Sequence, residues 1–267
     1  MKRDILIVGD SHAKPGVSNE RFTWLGKYVC EKEPDIIVDM GDWADMPSLS
    51  SYDMGKKSYE GRRYIADVQA AVEARERFDN VLKVHAKGAS KRHKAKYAPT
   101  KIALGGNHCE GRISRVIEED PKLAGLIGIE DLQYEEFGWE YIPYRTPVTI
   151  QGFTFCHYFS SGVMGRPIGG EMPALSILRK QFCSCVSGHL HLFDLAHRTR
   201  PDGSRIWGLF PGCFMAEEQW EDYAHQANKL WYKGLILLKG CENGDFTSIE
   251  TITIQELARR YRKGGNR

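Results

Sequence analysis

The sequence predicts an α/β fold with its functional groups gathered at one edge of a sheet. Three observations carry that expectation. Short apolar runs recur along the chain, and most of them close on Gly and a polar residue. Amphipathic helical patterns fall between them. The closing residues are mostly Asp, His and Asn, and layered α/β folds bind ligands beyond the carboxyl ends of their strands.

The first run, Asp4-Ile5-Leu6-Ile7-Val8, ends at Gly9-Asp10. Residues 19–33 are amphipathic, with Ser18 as a candidate N-cap and Pro34 beyond the end, and read as a helix. Residues 35–40 form the second run and end at Gly41-Asp42. Residues 64–84 read as a longer helix, with Ile65, Val68, Ala71 and Val72 at helical spacing. Lys101-Ile102-Ala103-Leu104 ends at Gly105-Gly106-Asn107, Phe153-Thr154-Phe155-Cys156 at His157, and residues 182–187 at Gly188-His189. A helix is expected over 171–181 and at 256–262, and strands over 205–210, 235–239 and 247–254.

The 37 Lys and Arg nearly balance the 35 Asp and Glu, leaving a formal net charge of +2. That excludes a strongly basic nucleic-acid coat and an acidic disordered chain. With 267 residues and 42% apolar content the chain can build an ample core. No internal repeat or domain boundary is visible, so residues 1–267 read as one domain with a helical, basic insertion at about 46–100. No apolar run approaches the roughly 18 residues of a membrane span, and the short apolar run after Met1-Lys2-Arg3-Asp4 is not expected to act as a signal peptide. The cysteine count, seven, is odd. Reduced thiols in a cytoplasmic chain are therefore expected, with Cys183 and Cys185 as small core residues.

The chemistry sits in the run ends. They are Gly9-Asp10-Ser11-His12, Gly41-Asp42-Trp43-Ala44-Asp45, Gly106-Asn107-His108, His157 and Gly188-His189-Leu190-His191. Asp and His suit Mn²⁺, Fe and Zn²⁺, and Asn adds a neutral oxygen donor. Glycine permits the tight turns that let such side chains converge.

In order and spacing these five elements resemble the calcineurin-like metallophosphoesterase superfamily, whose pattern is D-x-H, G-D-x-x-D, G-N-H-[DE], H, then G-H-x-H. The resemblance runs from Asp10 to His191. It implies a four-layer α/β/β/α sandwich with a dinuclear metal site at the C-terminal edge of the strands. It also implies that Asp10, His12, Asp42 and His191 hold one divalent ion and Asp42, Asn107, His157 and His189 the other, with Asp42 bridging. Mn²⁺ is the expected ion, with Fe, Zn²⁺, Ni²⁺ and Co²⁺ as alternatives. The implied reaction is phosphoester hydrolysis by a hydroxide bridging two ions. His108 would contact the phosphate or protonate the leaving oxygen, and Asp45 would orient His108. Cys109 departs from the family's Asp or Glu, and Glu110 follows one residue late. We read Cys109 as a small residue packed beneath the site. Arg112 either binds phosphate or pairs with a helix starting near Ile113.

Phosphoprotein phosphatases and dinucleotide tetraphosphatases of that superfamily carry Arg-Gly after the second motif. Met46-Pro47 stands there instead, which argues against those branches. From Asn80 to Cys109 there is no acidic residue, while Lys83, Lys87, Lys91, Arg92, Lys94, Lys96 and Lys101 crowd the stretch. Because it runs into Asn107 and His108, its C-terminal part is expected at the active edge, with Lys91, Arg92 and Lys94 on a nucleic-acid backbone. The expected function is hydrolysis of phosphodiester bonds in nucleic acid, without membrane engagement. A small-molecule phosphatase or cyclic-nucleotide phosphodiesterase is the alternative enzyme. A non-catalytic scaffold is the alternative outside enzymes, opposed by the complete ligand set. The oligomeric state stays open.

Overall fold

Alternate residues of the first strand face opposite ways, and that alternation organises the layers around it. The computed structural model describes residues 1–91 and 97–262, the side chains of Ser90 and Lys91 excepted. Strands β1 (Arg3–Val8), β2 (Ile36–Asp39), β3 (Thr100–Leu104) and β4 (Glu140–Ile142) pair in parallel in that order. Parallel neighbours need long crossovers. Helices α1 (Glu20–Lys32), α2 (Tyr64–Lys91) and α3 (Arg112–Glu119) lie within them. A second sheet contains β5 (Val148–Ile150), β6 (Phe153–Cys156), β9 (Cys185–Ser187), β10 (Phe193–Thr199) and β11 (Arg205–Pro211), in the order β10-β11-β9-β6-β5. Between β6 and β9 come the short hairpin β7 (Ser160–Ser161) and β8 (Arg166–Pro167), then α4 (Pro173–Gln181). The chain returns to the first sheet through β12 (Gly234–Cys241) and β13 (Ser248–Thr253), both antiparallel to their neighbours, and ends in α5 (Ile254–Tyr261).

Ile5 and Ile7 of β1 join Ile36, Val38, Ile102 and Leu104 in an apolar cluster with Phe153, Phe155, Val186 and Leu209 of the other sheet. Leu6, Val8, Ile37 and Ala103 turn instead toward Phe22, Leu25, Val29, Ala74 and Phe78 of α1 and α2. On the outer side of the second sheet, Cys156, Cys185 and Phe210 pack with Ala174 and Ile177 of α4. Period-two alternation on both sheets therefore produces this mixed α/β packing. No helix among the described residues is long and apolar enough to cross a membrane.

Most elements lie within a few residues of their expected bounds, and two differences have physical causes. Phe182 does not begin β9; it takes a left-handed φ of 57° and closes α4 by donating its N–H to Leu178 O. Helix α2 runs past Val84 to Lys91, because Ala86 and Ala89 continue a helix-tolerant pattern. That extension relocates the basic stretch. His85 lies 3.1 Å from Glu33, Tyr97 Oη donates to Pro34 O at 2.7 Å, and Thr100 N–H donates to Asp35 O. These contacts hold the described flanks at the start of β2, the edge opposite Asp42. The side chain of Lys91, together with Arg92 and Lys94, falls outside the described residues. The reason for placing them on substrate, closeness of the stretch to the active edge, does not hold for its flanks.

Beneath the sheet, Arg75 is fully buried 3.8 Å from Asp39 at the end of β2, with its guanidinium 3.6 Å from the Tyr134 ring centre and 4.4 Å from that of Trp43. Burial raises the Asp39 carboxyl to about 7, against the opposing pull of Arg75 and the Gly41 N–H. Between its ordinary 3.8 and about 7 the folded chain holds a proton there that the unfolded chain has released. This contribution to stability is therefore full below pH 3.8 and is lost as pH rises through 7. Asp39→Asn should flatten that slope in the metal-free protein, by an amount on the order of a few kcal/mol. Denaturant midpoints from pH 4 to 8 for both proteins check it, and parallel curves would refute it.

Candidate metal centre

The parallel strands end at one edge, where their turns face inward. Asp10 and His12 follow β1, Asp42 and Asp45 follow β2, Asn107 and His108 follow β3, His157 follows β6, and His189 and His191 follow β9. His12, Asp42, His189 and His191 all have left-handed backbones, with φ of 46°, 51°, 71° and 60°. Non-glycine residues held there cost on the order of 1 kcal/mol each, and such strain clusters at functional sites. Here it aims neighbouring side chains into one space. Asn107–Gly111 forms a π-helical turn leading into α3, and it carries both Asn107 and His108.

The side chains converge. Asp10 Oδ2 lies 3.1 Å from His191 Nε2, and the Asp10 carboxylate accepts the His189 N–H at 3.1 and 3.2 Å. Asp42 Oδ2 lies 3.3 Å from His157 Nε2 and 3.9 Å from His12 Nε2. His157 Nε2 also lies 2.9 Å from Asn107 Oδ1, while its Nδ1 faces Met40 O at 2.8 Å. Ligand atoms of Asp10, His12 and His191 fall within 4.8 Å of one another, as do those of Asp10, Asp42 and His157. His189 is in neither group, but its ring centre is 5.4 Å from that of His157.

The donor set fits divalent ions. Both ring nitrogens of buried His12 lack a hydrogen-bond partner among the described residues, and such orphaned polar atoms need an explanation. Burial opposes ionisation of Asp10 and Asp42, yet His157 and further histidines hold both carboxyls below their usual range. Burial also works against a charge on His157, but Asp42 and Asp10 outweigh it and raise the imidazole to about 9. The carboxylates thus demand positive charge at this point. His189 is pushed down to about 4 by burial and by His157, and burial likewise lowers His12. Neutral imidazoles are the form that binds metal.

Beside this cluster, His108 Nδ1 lies 2.6 Å from Asp45 Oδ1, and the His108 N–H donates to Asp42 Oδ1 at 2.7 Å. Burial opposes ionisation of Asp45, but the hydrogen bond from His108, the His12 imidazole 3.5 Å away and the Lys14 charge hold its carboxyl well below the usual range. Arg112 Nη1 donates to Asp45 O at 2.5 Å, Asp45 Oδ1 at 3.2 Å and Met46 O at 3.2 Å. That nitrogen holds Asp45 in place, and Arg112 also lines the cleft beside His108. Cys109 is fully buried, accepts the Gly106 N–H at 3.3 Å, and has its thiol pushed up to about 12 by burial. Glu110 accepts from Tyr141 Oη and Tyr144 N, both at 2.6 Å.

Several contributors were missed in the sequence. Lys14 Nζ sits 3.2 Å from Asp45 Oδ2 and 2.5 Å from Glu221 Oε1. His12, Asp45 and Glu221 offer ligand atoms within 4.8 Å, so the Lys14 ammonium already meets that acidic pair. Tyr223 and Trp231 border His108 and His191. The concentration of aromatic residues from Trp220 to Tyr232 was the signal that could have found them.

Gly106 shows how tightly the turns are packed. A Cβ there would lie 2.0 Å from Asp42 Oδ1 and 2.4 Å from the Asp42 amide nitrogen. Gly106→Ala should therefore displace Asp42 and weaken metal affinity by about 10-fold or more. Metal titration of the purified variant checks this, and wild-type affinity would show that the turn yields without moving Asp42.

No family model matches the chain, and no curated protein matches it. Among solved structures it aligns with YfcE, a phosphoesterase from E. coli, at 12% identity and a TM-score of 0.36, over 94% of this chain and 100% of that one. A second solved structure aligns at 12% identity and a TM-score of 0.37, over 95% and 100%. Likenesses this weak leave the functional reading to the geometry of the site.

Proposed function

We propose that the chain is a calcineurin-like metallophosphoesterase, a four-layer α/β/β/α sandwich that hydrolyses phosphodiester bonds at a dinuclear metal centre. The observation that carries this reading is the buried convergence of Asp10, His12, Asp42, His157 and His191, with half-buried Asn107 and His189 beside His157 and with neither ring nitrogen of His12 hydrogen-bonded among the described residues. Asp10, His12, Asp42 and His191 would hold one ion, and Asp42, Asn107, His157 and His189 the other. Such ions supply Lewis acidity toward a phosphoryl group and an activated water, with Mn²⁺ the expected metal.

The chain's own groups supply the rest. Met40 O fixes His157 with Nδ1 as donor, leaving Nε2 as the ligand atom. Asp45 accepts from His108 Nδ1 and so leaves Nε2 to carry a proton toward a leaving oxygen. Lys14 and Arg112 keep Asp45 from turning away.

The same reading includes nucleic acid as substrate. One observation favours the alternative, a nucleotide-sized diester. A cleft of about 790 Å³ reaches Asp45 and His108 and is lined by Arg62 and Arg63, not by the described flanks of the basic stretch. A panel with Mn²⁺, spanning p-nitrophenyl phosphate, bis-p-nitrophenyl phosphate, cyclic nucleotides, DNA and RNA, tests both levels. Hydrolysis of the bis ester, abolished by EDTA, is expected. No hydrolysis of it with any first-row ion would sink the phosphodiesterase reading, and degradation of polynucleotides would decide for the nuclease.

A further inference from the structure

Tyr223 and Trp231 stand at the active edge without a part in the chemistry above. The Tyr223 ring centre lies 6.2 Å from that of His108, and the residue remains 40% exposed on the cleft wall. Trp231, 6.5 Å farther on, meets His191 edge-on at 4.4 Å. The segment that bears both is pinned by buried polar contacts. Gln219 Nε2 donates to His12 O at 3.2 Å and to Glu221 Oε1 at 2.9 Å. Glu221 N–H donates to Asn228 Oδ1 at 2.9 Å, and Lys14 ties Glu221 to Asp45. The aromatic face is thus held in advance beside the residue that would protonate the leaving group. Tyr52, also exposed, lines the same cleft with Lys56 Nζ 3.4 Å from its ring centre.

Size and charge restrict what the cleft accepts. A volume of about 790 Å³ far exceeds an alkyl leaving group and suits a nucleotide-sized ligand. Its four Lys and Arg side chains face five carboxylates, Glu60 and Asp67 among them, so its charges nearly cancel. Lys14 pairs with Asp45 and Glu221, Arg62 with Asp53, and Arg112 with Asp45. Arg63 lines the cleft too and makes no ion pair among the described residues. A groove that follows a polynucleotide backbone needs a row of unpaired cations. One available arginine and exposed tyrosine rings suit a single base-bearing group.

We propose that this cleft holds the leaving group of the substrate and that this group is a nucleoside whose base stacks on Tyr223. The proposal rests on the phosphoesterase reading, which supplies the phosphate position. It makes Tyr223 a specificity residue, since stacking tolerates any base but requires a ring.

Calorimetry on the Mn²⁺-loaded chain tests it with three probes: adenosine 5′-monophosphate, phenyl phosphate and ribose 5-phosphate. The nucleotide should bind at least about 10-fold tighter than ribose 5-phosphate, with phenyl phosphate weaker than the nucleotide. Tyr223→Leu, which keeps apolar bulk without a ring, should bring nucleotide and sugar phosphate within about 2-fold of each other, and Tyr223→Phe should keep the preference. Equal wild-type affinities overturn the proposal, as does a preference that survives in Tyr223→Leu. Phenyl phosphate binding as tightly as the nucleotide overturns the nucleoside assignment. Hydrolysis of bis-p-nitrophenyl phosphate is measured alongside. Activity without base preference fails this inference alone, whereas base preference without activity fails the phosphoesterase reading and leaves the ring site standing.

Discussion

Asp42→Asn is expected to fold, to lose divalent metal, and to lower turnover of a phosphodiester by on the order of 10³-fold or more. Asp42 is nearly fully buried, and its two oxygens divide the work. Oδ1 accepts the His108 N–H, while Oδ2 faces both His157 and His12. Asparagine presents one oxygen and one NH₂ group to those directions. Whichever way the amide turns, it loses the charge and one acceptor at the junction of the two proposed ligand sets. The same substitution has a second, metal-free consequence. Asp42 is the foremost charge that raises His157 to about 9, so that imidazole should titrate at lower pH in the variant. Elemental analysis and NMR titration of the histidines check both. A variant that retains two ions per chain and wild-type turnover would contradict the role given to Asp42. A variant that loses metal while His157 titrates as before would contradict the electrostatic account alone.

How much of this was legible depended on the distance over which each contact acts. Asp10, Asp42, Asn107 and His189 announce themselves locally, because each follows a strand and sits with a glycine that permits its turn. Gly106 approaches the Asp42 side chain so closely that no other residue fits without a shift. The alternation of Ile5, Leu6, Ile7 and Val8 between two clusters is likewise carried in a short run. For the basic stretch, chain proximity to Asn107 is no guide to spatial proximity, since its described flanks lie at the start of β2. A helix of 28 residues spans about 42 Å, enough to carry the chain from the active edge to the other end of the strands before β3 brings it back. Lys14 and Glu221 are 207 residues apart, and nothing near either one signals their ion pair. Long-range polar pairing has no periodicity, so a pattern-based reading has no means of finding it.

His108→Ala should leave metal content unchanged and lower turnover in proportion to how poor the leaving group is. His108 donates its amide to Asp42 but contributes that contact from the backbone, which alanine preserves. What alanine removes is the imidazole held by Asp45 at 2.6 Å. Proton transfer from a placed imidazole is worth about 10² to 10⁴-fold when the departing oxygen needs the proton. A nucleoside or alkyl leaving group should show most of that loss. A p-nitrophenolate group departs readily without a proton and should lose far less. Asp45→Asn should follow the same pattern more weakly, since Lys14 and Arg112 lose a partner while the imidazole remains. The dependence on the leaving group separates an acid from a structural role, because a distorted metal centre would slow good and poor leaving groups alike. Equal losses across a series of leaving groups would therefore remove His108 from proton transfer and return it to phosphate binding, the other role its place beside Asn107 allows.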